Sequence, residues 1–118
     1  MLYTNLKHIE KETDFRKAIH EHENVIVICG RMDPVCIPVF RIAEELENEY
    51  SQVRFFDLES DNPESQMICG MPEVMGFTRL PVTFYYRNGQ NVKVTSDIQS
   101  KEQLINFLEQ VLELTAGN

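Results

Sequence analysis

The 118-residue chain has no tryptophan, five glycines, and no unbroken apolar run longer than VIVIC at positions 25–29. A membrane-crossing helix needs about 20 consecutive apolar residues, so none is expected. Positive charge is scarce, with 11 Lys and Arg against 19 Asp and Glu and a net charge of -8. Nucleic acids and anionic membranes are polyanions that demand a basic face, so neither is an expected partner. The three cysteines, Cys29, Cys36 and Cys69, are an odd number. The opening MLYTNLKHIEKE has no basic start, apolar stretch and small-residue cleavage site, which sets the expectation of a cytoplasmic address. Reduced thiols are therefore expected in place of a disulfide framework.

What is present suits one globular domain over residues 1–118, with ordinary hydrophobic and charged fractions and no repeat or low-complexity tract. A helix is predicted to start near Thr13 and Asp14, both suitable caps, with Phe15, Ala18, Ile19 and His22 at helical spacing. Residues 25–29 are β-branched without alternation, the pattern of a central strand covered on both faces. Val39, Ile42, Ala43, Leu46 and Tyr50 recur at three and four residues and predict an amphipathic helix, followed by a strand at 53–58. A strand, a helix of this length and a second strand imply a right-handed crossover with parallel strands.

The stretch from 61 to 79 is broken by Gly70, Pro72 and Gly76 and predicts irregular structure. Residues 82–86 and 92–95 flank Asn88-Gly89, a dipeptide that tolerates positive φ at both turn positions, so a β-hairpin is predicted. Ser100 with Gln103 has the form of a capping box opening a helix that carries Leu104, Phe107, Leu108, Val111 and Leu112 on one face. The main order is β-α-β, an irregular segment, then β-β-α.

The chemistry-bearing stretch is RMDPVCIP at residues 31–38, between the central strand and the second helix. Asp33 is suited to cap a helix by accepting from the amide of Val35 or Cys36, and Pro34 fits the first helical position, where no donor is needed. A helix N-terminus favours a thiolate at Cys36, whereas the nearby Asp33 carboxylate opposes it, which predicts a sluggish thiol. Pro38 interrupts the early helix bonds, so a helix starting at Pro38 would leave Cys36 on an open loop. Cys29 reads as a small core hydrophobe. The three thiols share no ligand spacing, and His20 and His22 do not share a helix face, so neither a metal site nor a cofactor is expected. Met32, Met67, Met71 and Met75 lie in two segments; methionine fills irregular cores and also serves adaptable binding surfaces.

The order of elements, with a cysteine loop after the first central strand, resembles the thioredoxin family over nearly the whole chain. MDPVCIPVFRIAEELENEY takes the place of the family stretch that carries a tryptophan, the CxxC motif and an acidic helix ending in tyrosine. GFTRLPVT at 76–83 resembles the segment with the family's cis-proline, and YYRNGQ and SKEQLINFLEQVL resemble its last hairpin and helix. The resemblance implies a thioredoxin fold: a central mixed β-sheet flanked by helices. It implies that Asp33 stands where the nucleophilic first cysteine would be, that Cys36 matches the resolving cysteine, and that Met32, Val27 and Cys29 replace a tryptophan, a buried acid and a further tryptophan. It also places Pro81 beside the site, with Cys29 beneath the loop and Cys69 in the segment before Pro81.

Dithiol exchange needs one accessible thiolate to attack and a second thiol to release the mixed disulfide, and Asp33 performs neither step. The expected function is an atypical thioredoxin-like protein with DxxC in place of CxxC, either a protein-binding or a single-thiol redox-related module. Its partner would be a protein or peptide that meets Met32, Arg79, Leu80 and Pro81, with an extended backbone pairing before Pro81. The alternative is a thiol-disulfide oxidoreductase that pairs Cys36 with Cys69 or Cys29. Oligomeric state is left open by the sequence.

Overall fold

The computed structural model describes residues 2–65 and 79–111. Five strands form one mixed sheet: β1 (Lys7–Ile9), β2 (Asn24–Gly30), β3 (Arg54–Glu59), β4 (Val82–Arg87) and β5 (Gln90–Ser96), in the order β1-β3-β2-β4-β5. β3 runs parallel to both β1 and β2, whereas β4 is antiparallel to β2 and β5. Three helices are described: α1 (Glu12–Glu21), α2 (Ile37–Glu49) and α3 (Lys101–Val111).

The unalternating run of β2 is buried at all seven positions because both of its faces are covered. Its side chains alternate between two cores. Val25, Val27 and Cys29 join Phe56, Leu58, Phe84 and Tyr86 against Phe15, Ala18 and Ile19 of α1. Ile26 and Ile28 join Phe55 and Tyr85 against Val39, Phe40, Ala43 and Leu46 of α2 and Leu104 and Leu108 of α3. Each fully buried Val, Leu, Ile or Phe among them contributes roughly 1.5–3 kcal/mol relative to exposure.

The hairpin turns at Asn88 (φ 52°) and Gly89 (φ 80°), both in the left-handed region that this dipeptide tolerates. Ser100 caps α3: the Gln103 amide donates to Ser100 Oγ at 3.2 Å, and the Ser100 amide donates to Gln103 Oε1 at 2.9 Å. The start of α1 differs from the expectation at Thr13 and Asp14. The cap is Lys11, and Asp14, three residues in, reaches back to the Lys11 amide at 3.2 Å, while His22 lies past the helix end. Asp14 thus serves the helix start from within the first turn, a use of a short acid that composition alone does not separate from capping. The three-residue β1 was not predicted.

Topology brings the two chemistry-bearing segments together. β2 ends at Gly30 and feeds the 31–36 loop, and Cys29 lies opposite Val82, the first residue of the antiparallel β4. The 31–36 loop and the Arg79-Leu80-Pro81 segment therefore meet at the same end of the sheet. The Leu80–Pro81 peptide is cis.

Candidate functional site

Asp33 governs the entry to α2. Its Oδ1 accepts the Val35 amide at 3.0 Å and the Cys36 amide at 2.8 Å, and its carbonyl accepts the Ile37 amide at 3.0 Å. Pro34 does not stand at the expected first position of α2: Asp33 and Pro34 open a separate turn, closed by the Ile37 amide on the Asp33 carbonyl, and α2 itself starts at Ile37 with Cys36 as its N-cap residue and Pro38 in its first turn. The Cys36 amide, followed by that of Val35 and aided by the Arg31 guanidinium 3.8 Å away, holds the Asp33 carboxyl below its ordinary range.

Cys36 is not on an open loop. Its φ and ψ are helical, its carbonyl accepts the Val39 and Phe40 amides, and its side chain is wholly buried in the α2-side core. The turn capped by Asp33 folds the thiol inward before Pro38 is reached, so that proline interrupts bonding without exposing the residue ahead of it. Close packing against Gly30 follows: a Cβ at position 30 would lie 3.0 Å from Cys36 Sγ and 3.1 Å from the Phe40 ring. Burial pushes the thiol up to about 11, and the Asp33 carboxylate adds to the shift.

Cys29 and Cys36 are both buried thiols, but they belong to opposite faces of the sheet. Adjacent strand positions alternate faces, and Cys29 points toward α1 instead of lying beneath the loop. The expected Cys36–Cys29 pairing is corrected accordingly, since a disulfide requires the two Cβ atoms to approach across no intervening sheet. Cys69, like Met67, Met71 and Met75, lies outside the described residues.

An open groove of about 320 Å³ runs between the two segments, lined by Arg31, Asp33, Val35, Arg79, Leu80 and Asp97. Of the residues expected at the site, it gathers Asp33, Arg79 and Leu80. Cys36 lies under it without lining it, Pro81 is buried beside it, and Met32 turns away, packing on the α2-side core and accepting the Tyr3 amide at 3.4 Å. The Arg79 guanidinium meets Asp97 at 3.3 Å, and the Arg79 carbonyl accepts the Asp97 amide at 3.3 Å. Val35 and Ile98, on either side of this region, are apolar and about half exposed. Sequence reasoning missed Arg31, Val35 and Asp97. Arg31 lies just before the recognised motif and Val35 is one of its two middle residues, whereas Asp97 (φ 72°) joins through a turn after β5 that only the fold brings near.

The sheet order, the helix that follows the central strand, and the Asp33-x-x-Cys36 turn facing Leu80-Pro81 define a thioredoxin-fold protein. Solved thioredoxins share this architecture. The chain is similar to a mutant thioredoxin of Halobacterium salinarum (TM-score 0.77, 17% identity, covering 98% of this chain and 99% of that one). It is also similar to the thioredoxin of Trypanosoma brucei brucei (TM-score 0.76, 17% identity, 96% of each chain). The thioredoxin of Plasmodium falciparum aligns with TM-score 0.70 and 24% identity over 89% of this chain and 98% of that one. No protein-family model and no curated protein sequence matches the chain.

Proposed function

We propose that the chain is a thioredoxin-like protein-binding module in which Asp33 stands where CxxC proteins carry their attacking cysteine, and in which Cys36 is a structural thiol at rest. The observation that carries this reading is the complete burial of Cys36 with its thiol pushed up to about 11, since the thiolate and not the thiol is the nucleophile. The groove supplies what a peptide site needs. It has apolar contacts at Val35 and Leu80, charged rims at Arg31 and Arg79, and a backbone before Pro81 on which an extended chain can lie. Acting as one domain in a reducing, cytoplasmic setting, such a module would hold an extended protein segment without exchanging electrons with it.

Binding to an array of extended peptides tests this reading, with thiols mapped by mass before and after mild oxidation. The expected result is binding that survives Cys36→Ser, is lost in Leu80→Glu, and leaves Cys36 unpaired after oxidation. Oxidation that joins Cys36 to Cys69, together with loss of binding in Cys36→Ser, would overturn it in favour of an oxidoreductase.

A further inference from the structure

Residues 2–6 run without regular secondary structure into β1, beside α2, whose Arg41 and Glu44 they contact. Leu2 and Leu6 are buried in the cluster that contains Cys36, Val39 and Phe40, while Tyr3 between them is exposed. The segment is tied down by side-chain contacts to sites remote in sequence. The Tyr3 amide donates to Met32 Sδ at 3.4 Å, Arg41 Nη2 donates to the Tyr3 carbonyl at 3.4 Å, and the Asn5 amide donates to Glu44 Oε2 at 2.6 Å. Thr4 Oγ1 donates to Asp57 Oδ2 and accepts the Leu6 amide at 3.1 Å.

Asp57 makes this attachment unusual. Its side chain is 1% exposed, and the groups that satisfy it are Thr4 and His8, the latter with Nδ1 2.6 Å from Oδ1. Releasing Thr4 leaves a buried carboxylate one donor short, which is costly, so the segment rests closed. The remaining ties are exposed or partly exposed and open to competition by water, so the segment has the makings of a unit that opens locally while the sheet stays folded. Opening withdraws Leu2 and Leu6 from the Cys36 cluster and frees Met32, which packs on that cluster from the 31–36 loop.

We propose that residues 2–6 are a strap, clasped onto Asp57 by Thr4, and that its undocking is the route by which solvent and small electrophiles reach the Cys36 thiol. The strap is a conformational gate on a buried thiol. It stands apart from the peptide-binding reading, because it concerns access from the α2 side and holds whether or not the groove takes a peptide.

The test is N-ethylmaleimide labelling at neutral pH, with mass mapping of the Cys36 and Cys29 peptides in wild type, Thr4→Val and Thr4→Ser. Loss of one bond to a buried charge is expected to raise Cys36 labelling by about tenfold in Thr4→Val. Thr4→Ser, which keeps the hydroxyl, should label like wild type, and Cys29, on the far face of the sheet, should stay protected in all three. Equal Cys36 rates in wild type and Thr4→Val would overturn the proposal, as would Cys29 and Cys36 labelling in parallel, since that marks global unfolding. Should Thr4→Val fail to fold, wild type in low urea decides. Strap opening exposes little surface, so the labelling rate should be nearly flat in urea, and a slope equal to that of global unfolding would overturn the gate.

Discussion

Asp33 and Cys36 share one turn in which the carboxylate that orders the backbone also disfavours the thiolate: Asp33 Oδ1 accepts the Cys36 amide at 2.8 Å, and burial and that carboxylate together raise the thiol to about 11. One side chain thus favours the helix start and discourages ionisation three residues on.

A thiol whose value is raised on folding from 9.0 contributes stability that is fully present below 9.0 and lost as pH rises toward about 11. Urea melts across this window should show wild type losing on the order of 2 kcal/mol, and Cys36→Ala losing distinctly less. Iodoacetamide labelling of Cys36 should climb over the same range. Asp33→Asn keeps a capping acceptor and removes the charge, so it should shift the labelling profile to lower pH without reaching that of an exposed cysteine, because burial is the larger cause.

Asp33 itself carries the opposite sign. Its carboxyl is lowered from 3.8 by the Cys36 amide above all, so its contribution is present above 3.8 and lost as pH falls through its lowered range. Thermal melts should rank wild type and Asp33→Asn above Asp33→Ala at neutral pH, with wild type approaching Asp33→Ala in strong acid.

Gly30 is predicted to resist substitution on steric grounds alone. A methyl there would meet Cys36 Sγ at 3.0 Å and the Phe40 ring at 3.1 Å, both inside a close-packed core. Gly30→Ala should destabilise by about 1–3 kcal/mol, and pairing it with Cys36→Ala should recover part of that loss in a double-mutant cycle.

The His8–Asp57 contact gives a pH-dependent prediction of its own. Burial raises the Asp57 carboxyl despite the bonds from Thr4 and His8, so its contribution is present in acid and lost as pH rises through that raised range. His8→Ala removes one donor and should cost about 1–3 kcal/mol at neutral pH, and less in acid, where Asp57 carries its own proton. Asp57→Asn should gain on wild type between mildly acidic and neutral buffer. Denaturant midpoints in the two buffers check both.

Much of the fold was legible because its signals are local. The buried run of β2, the helical spacing from Val39 to Leu46, the Asn88-Gly89 turn and the Ser100–Gln103 box each lie within a few residues of themselves. The cap at Asp33 was legible for the same reason. What escaped was set by distance along the chain. β1 has three residues and one buried position, too few to show a period. Asp57 looks like the solvent-facing residue of a strand until Thr4 and His8, 53 and 49 residues away, are seen to enclose it. Cys29 and Cys36 are close in sequence, yet the pleat sends them to different cores, and Asp97 reaches the groove only once β5 has paired.

β2 is bonded along both edges and buried throughout, and its last carbonyl, at Gly30, also receives the Ser60 amide at 2.8 Å. Its amides should be the slowest in the molecule to exchange with deuterium, since they open only when the whole sheet does. The 31–36 loop hangs from the end of that strand, and the neighbouring Leu80-Pro81 segment leads into the strand paired with it. The floor of the groove is therefore anchored to the part of the chain that unravels last and should persist through fraying at β1, whereas its Asp97 wall, directly after the edge strand β5, holds only while that strand stays paired.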